Sequence, residues 1–174
     1  MKTALLLLTL QGGLGAFDTL YYHEHRLRLA NSLSARKELK LHAARDFLYA
    51  IIFGSLAWRS WNGLWAWALV GLLTTEIAIT LWDFLEEDRS RKVPPGERSM
   101  HAIMGLAYGA FLASLLPELL GWARLPNGFG QYNYGVLSWV LSLMAFGVFV
   151  SGLRDILAAR QLEAAAGTVK LARI

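Results

Sequence analysis

The chain of 174 residues contains no cysteine. Disulfides and thiolate metal ligands are therefore excluded, and the redox compartment stays open. Charge is scarce as well. Only 17% of the residues are Asp, Glu, Lys or Arg, where an ordinary soluble domain has about 25%, and 55% are hydrophobic where such a domain has about 45–50%. The sequence has no HExxH pair and no Glu-x-x-His pair, so the signatures of zinc proteases and of soluble di-iron bundles are both missing. It shows no internal repeat and no low-complexity segment.

What is present is apolar and blocked. The hydrophobic residues fall into runs of roughly 18–22, the length that crosses a bilayer as a helix. The runs predict an all-α integral membrane bundle, one domain over 1–174, with helices at about 1–22, 41–58, 64–87, 98–121 and 134–153 and a tail over 154–174. The run Leu5-Leu6-Leu7-Leu8 after Lys2 imitates a signal peptide, but it continues past the length of such a core and no clean cleavage site follows, so it reads as a retained helix. Trp58, Trp61, Trp65 and Trp67 cluster at the second turn, as expected of an interfacial aromatic belt. Pro94-Pro95-Gly96 is a firm stop between the third and fourth helices. A soluble bundle of buried helices is the competing reading, and it would leave the tryptophan cluster without lipid to face.

The net charge is +4. Nucleic acid is not the expected partner, because the basic residues sit between the apolar blocks. When the five helices alternate across the membrane, all but three of the 17 Lys and Arg (Lys2, Arg59 and Arg124) fall on one side. That bias makes the first side cytoplasmic and predicts the N-terminus outside, the C-terminus inside, and a multi-pass protein of the cell's inner (plasma) membrane.

The same alternation gathers all four histidines, His23, His25, His42 and His101, at the cytoplasmic end. Glu76, Thr80, Asp83 and Glu87 follow at steps of four, three and four, hence on one helix face. Acids within apolar helices are costly unless partnered, and by default they mark a functional site. His42 and Asp46 share a face of the second helix, Glu97, His101 and Tyr108 a face of the fourth, and Gln11, Asp18 and His25 recur by sevens on the first. Histidine and carboxylate on facing helices is the donor arrangement of di-metal bundle sites.

The expected ligands are Asp18, His25, His42, Asp46, Asp83, Glu87 and His101. Glu76 is placed deeper, ~10 Å from Asp83 by helix rise, as a catalytic or proton-transfer group, and Tyr108 lines the pocket. Oxygen and nitrogen donors without thiolate suit iron first, then manganese or zinc. The substrate would be a lipid or another hydrophobic molecule entering from the bilayer. Three alternatives stand beside this reading. The cluster is a structural network of ion pairs and caps; the chain is a non-enzymatic subunit docking on a membrane-protein partner or on its own copy; or two histidines hold a b-type haem, against which the nearby carboxylates argue. Four histidines are too few for the histidine boxes of membrane desaturases.

The stretches Gly-Ala-Phe-Asp-Thr-Leu-Tyr-Tyr-His-Glu (15–24), His-Ala-Ala-Arg-Asp (42–46), Ile-Thr-Leu-Trp-Asp-Phe-Leu-Glu-Glu-Asp (79–88) and Glu-Arg-Ser-Met-His (97–101) resemble a group of small uncharacterised bacterial polytopic membrane proteins. The resemblance implies a bacterial inner-membrane setting and carries no activity.

Overall fold

In a computed structural model the described residues are 1–171, with side chains through residue 166. Arg173, counted above among the tail cations, lies outside them. Five long helices run antiparallel: α1 (Lys2–Phe17), α2 (Arg36–Leu56), α3 (Leu64–Ser90), α4 (Pro95–Trp122) and α5 (Val136–Leu171). The all-α bundle read from the apolar blocks is what the chain forms. Segments Lys2–Arg26, Leu64–Ser90, Pro95–Trp122 and Val136–Ala166 are each long and apolar enough to cross a bilayer. Mid-helix Leu106, Leu143 and Phe146 face outward at 77%, 71% and 66% exposure, a surface suited to lipid.

Helix α2 is the exception among the five expected spans. Lys40, Arg45 and Asp46 interrupt its apolar run; it packs against α5 and α3, where Arg45 meets the buried Asp83, while Lys40 pairs with Glu163 at the surface. Several bounds also move. Helix α2 starts at Arg36 rather than near 41, because its first turn is anchored by the buried Glu38. Helix α5 runs through the expected tail to Leu171. The Ala-rich stretch is a good helix former, and Ala158 and Ala159 pack on Leu29 and Leu39. Between α1 and α2 the chain makes two 3-10 turns, Leu29–Asn31 and Leu33–Ala35.

At the end of the bundle away from the histidines, the segments read as a turn and a Gly/Asn-rich loop pair as two short antiparallel strands. These are β1 (Arg59–Asn62) and β2 (Gly128–Gln131), with Ser60 opposite Gly130 and Trp61 opposite Phe129. Trp61 and Trp65 pack edgewise or tilted on Phe129, and Trp58 Nε1 donates to Ser142 Oγ at 2.8 Å. The Met1 ammonium pairs with Glu118, tying α1 to the end of α4. Below this cap the core is closely packed around Leu5, Leu8, Phe53, Leu69, Phe111 and Leu141. That packing fixes the far ends of the helices and leaves the other end free to carry polar groups.

Candidate metal centre

The first helix does not end as an α-helix. From Asp18 to Arg26 it widens to π winding, with Leu27 N donating to Tyr22 O at 2.9 Å, five residues back. A π turn places residue i+5, rather than i+7, on the face of residue i, and such turns recur at functional sites. Asp18 therefore shares its inward face with His23, which is buried. His25, expected on that face from the seven-residue spacing, is exposed and stacks on Tyr21. Gly96 lets the start of α4 press on this segment, since a Cβ there would lie 2.5 Å from the Tyr22 hydroxyl. That approach brings Glu97 to His23.

The stepped face of α3 turns inward, with Glu76, Asp83 and Glu87 all buried. Glu38 and His42 of α2, Glu97 and His101 of α4 and Asp155 of α5 close around its lower half. His23 Nε2 lies 3.2 Å from Glu97 Oε1 and 3.5 Å from Asp18 Oδ2. His101 Nε2 lies 3.3 Å from Asp18 Oδ2, and its Nδ1 3.4 Å from Glu87 Oε2. His42 Nε2 lies 3.1 Å from Asp83 Oδ2 and 3.8 Å from Glu87 Oε1. The His23 and His42 rings stack in parallel, 4.6 Å apart, and Phe84 stacks on His101 at 4.8 Å.

Two overlapping sets of buried donors result. One is His23, Glu87, Glu97 and His101; the other is His23, Glu38, His42 and Glu87. Within each set the donor atoms all lie within 4.8 Å of one another. Ligands held at about 2.0–2.2 Å from one ion stand at most about 4.4 Å apart, so a small inward movement closes either set on a metal. His23 Nε2, His42 Nε2 and Glu87 Oε1 are buried without a hydrogen-bond partner despite their close neighbours. These are the atoms common to, or central in, the two sets. Buried polar atoms are nearly always satisfied, and several such atoms converging on one place could hold an ion.

The charge balance points the same way. Asp18, Glu38, Asp83, Glu87, Glu97 and Asp155 are none of them more than 3% exposed. Against these six acids stand three arginines. Arg45 donates to Asp83 at 3.0 Å, Arg91 to Glu97 and Glu38 at 2.7 and 2.8 Å, and Arg154 to Asp155 at 2.7 Å. Burial pulls the Arg91 guanidinium down, but the Glu97 and Glu38 carboxylates outweigh this and hold it above its ordinary value. With neutral histidines, three negative charges remain uncompensated. Protonating both stacked rings would set two cations 4.6 Å apart, which costs about 4 kcal/mol at an effective dielectric constant near 20. A divalent cation, or protons on His101 and one of the stacked rings, would remove two of the three charges without that cost.

Of the other expected ligands, His42, Glu87 and His101 fall within the two sets. Asp18 touches both His23 and His101 from the side, with Oδ1 unpartnered. Asp83 is engaged by His42 and Arg45, and Asp46 is half-buried; neither belongs to a set. His23, Glu38 and Glu97 belong and were not among the expected ligands. The Glu97-x-x-x-His101 spacing was legible. Glu38 was obscured because the second helix was expected to begin after it.

Two cavities flank the cluster. A polar one of about 320 Å³ reaches His23 and His42 past Arg28, Asn31 and Asp155. A larger one of about 630 Å³ runs from Asp18 and His101 along apolar walls to Glu76 and Tyr108. In comparisons with known proteins, no family model, no curated protein and no solved structure matches this chain.

Proposed function

We propose that the chain is a multi-pass membrane metalloprotein with a dinuclear centre at the polar end of its bundle, acting on a hydrophobic substrate. The observation that carries this is the pair of buried donor sets overlapping at His23 and Glu87 with unpartnered donor atoms. Glu87 turns one oxygen toward His42 and the other toward His101, so it could serve an ion on either side. Glu38 and His42 would complete one ion's shell, and Glu97 and His101 the other's. Arg91 and Arg45 orient the carboxylates from behind, the outer-shell role that fixes ligand geometry. The stacked His23 and His42 rings admit no porphyrin between them, which disfavours a haem held by that pair.

The donor set of imidazole and carboxylate suits iron, manganese or zinc. Such ions would supply Lewis acidity, with oxidation the reaction for iron and hydrolysis by an activated water for zinc. Asp18, touching both His23 and His101 at the mouth of the larger cavity, is positioned to accept a proton there. Glu76 and Tyr108 would exchange protons with a substrate lodged deeper. The test is metal analysis of detergent-purified protein. About two equivalents of metal are expected, in line with a two-ion bundle site. Metal-free protein that is folded and monodisperse would overturn the reading. The Arg91 pairs would then mark a structural network, and the polar end a docking surface for a partner subunit.

For the setting, the cations of the polar end favour a cytoplasmic orientation, with the N-terminus outside, and the resemblance to small bacterial membrane proteins fits an inner membrane. The absence of cysteine makes the test direct. In intact cells, Arg124→Cys should react with a membrane-impermeant maleimide and Ala30→Cys should not. The reverse pattern would invert the topology.

A further inference from the structure

The larger cavity has a second polar station, away from the metal donors. Glu76, Gln11 and Tyr108 all line it and are each more than nine-tenths buried. Glu76 Oε1 accepts from Thr80 Oγ1 at 2.7 Å, but Glu76 Oε2, Gln11 Oε1 and the Tyr108 hydroxyl have no partner. The Tyr49 hydroxyl reaches toward Glu76 and Gln11 and the Tyr108 hydroxyl toward Glu76, so the station offers a polar head both acceptors and donors. Around them the walls are apolar and aromatic, with Phe53, Met104 and Leu112 among them.

Glycine makes the space. A Cβ placed on Gly105, Gly109 or Gly147 would meet nothing within 4 Å. These glycines line the cavity and are not serving close helix packing, the usual use of small residues between membrane helices. Leu20, Leu81 and Val150 line it too and are themselves exposed on the apolar outer face. The groove therefore opens sideways, toward lipid, as well as at the polar end, where Glu24 and Arg154 line it.

We infer that this groove binds an apolar chain carrying a neutral hydroxyl head, entering from the bilayer, with the hydroxyl donating its one proton to Glu76 Oε2 and accepting from the Tyr108 hydroxyl. An ammonium head would also donate, but carrying a cation through the hydrocarbon layer is expensive, and a hydroxyl avoids that cost. The head group is an aliphatic alcohol or a phenol such as a quinol; both present the same O–H. That this ligand is the substrate of the metal centre rests on the reading above. The binding itself does not.

The experiment is photoaffinity labelling in lipid nanodiscs with a diazirine-bearing dodecanol, its methyl ether, and the matching dodecylamine. It is run on metal-free and metal-loaded protein, and labelled peptides are mapped. The alcohol should label α4 around Met104–Leu112 at least about tenfold more than the ether, since the ether leaves the buried Glu76 Oε2 unpaired. Gly109→Leu, which fills the groove, and Glu76→Leu, which removes the acceptor, should each abolish this labelling. If Glu76→Leu does not fold, Gly109→Leu decides alone. Unlabelled dodecanol should compete; decyl-hydroquinone competing at lower concentration than dodecanol marks the preferred head as phenolic, and the reverse as aliphatic, while no competition by dodecanol would overturn the assignment. Equal labelling by alcohol and ether, stronger labelling by the amine, or unchanged labelling in Gly109→Leu would overturn it. Labelling that persists in a protein unable to bind metal would refute the metalloprotein reading alone. Metal binding without labelling would refute this inference alone.

Discussion

Protein carrying His23→Ala should purify with less than about a tenth of the parent's metal, while His25→Ala should keep all of it. The two histidines are two residues apart, and a uniform α-helix would favour His25. The π winding after Phe17 reverses the choice. His23 belongs to both donor sets, so the substitution removes a ligand whichever set holds the ion. Loss of a group behind a ligand already costs about 10–100-fold in metal affinity, and loss of a shared ligand should cost at least as much. His25 is exposed and its ring contact is with Tyr21. The fold should survive His23→Ala, because Glu97 keeps its two bonds to Arg91, at 2.7 and 2.9 Å. Unchanged helicity with lost metal is the expected pair of readings, by circular dichroism and mass spectrometry of the same sample. Metal retained in His23→Ala and lost in His25→Ala would restore the α-helical register and sink the ligand set.

This contrast also shows what was legible in the sequence. Apolar blocks, the Pro94-Pro95 stop and the Glu76–Thr80–Asp83–Glu87 face depend on local periodicity, and the helices and the buried acid face follow it. The histidine–carboxylate end was visible because antiparallel alternation alone gathers those residues. Which residues make up the two buried donor sets was not, for two physical reasons. A change in helical winding leaves no periodic trace over nine residues, yet it exchanges His25 for His23. Tertiary pairing also decides where a helix begins. Glu38 sits among Arg36, Lys37 and Lys40 and looks like part of a solvated basic loop, but the Arg91 guanidinium, 53 residues on, draws it into the core. The two short strands were hidden for the same reason, since neither β1 nor β2 has enough length to show alternation and each is stabilised by the other.

Arg91 separates the metal reading from a purely structural one. Its guanidinium donates to Glu38 through Nε and Nη2 and to Glu97 through both terminal nitrogens. Both carboxylates are fully buried, and both are assigned here as metal ligands. In metal-free protein, Arg91→Met should lower the unfolding free energy by about 3–5 kcal/mol, the cost of removing one partner of a buried pair. The lower end is expected, because the arginine side chain keeps 13% of its surface in solvent. The two readings then diverge on adding metal. In a structural network the lost charge has no substitute, so Mn²⁺ should leave the thermal midpoint of Arg91→Met where it was. In a metal centre the cation takes over both carboxylates, although losing the arginine that orients them weakens its hold about 10–100-fold. Saturation at about 100 times the dissociation constant contributes about 2.7 kcal/mol. With Mn²⁺ raised far enough to saturate the variant, the midpoint of Arg91→Met, measured at one heating rate in one detergent, should therefore rise. A rise in the parent with none in Arg91→Met would mean that the arginine is needed to build the site. Glu38 and Glu97 would then be its partners and not the metal's, and the donor set would shrink to the three histidines with Glu87 and Asp18.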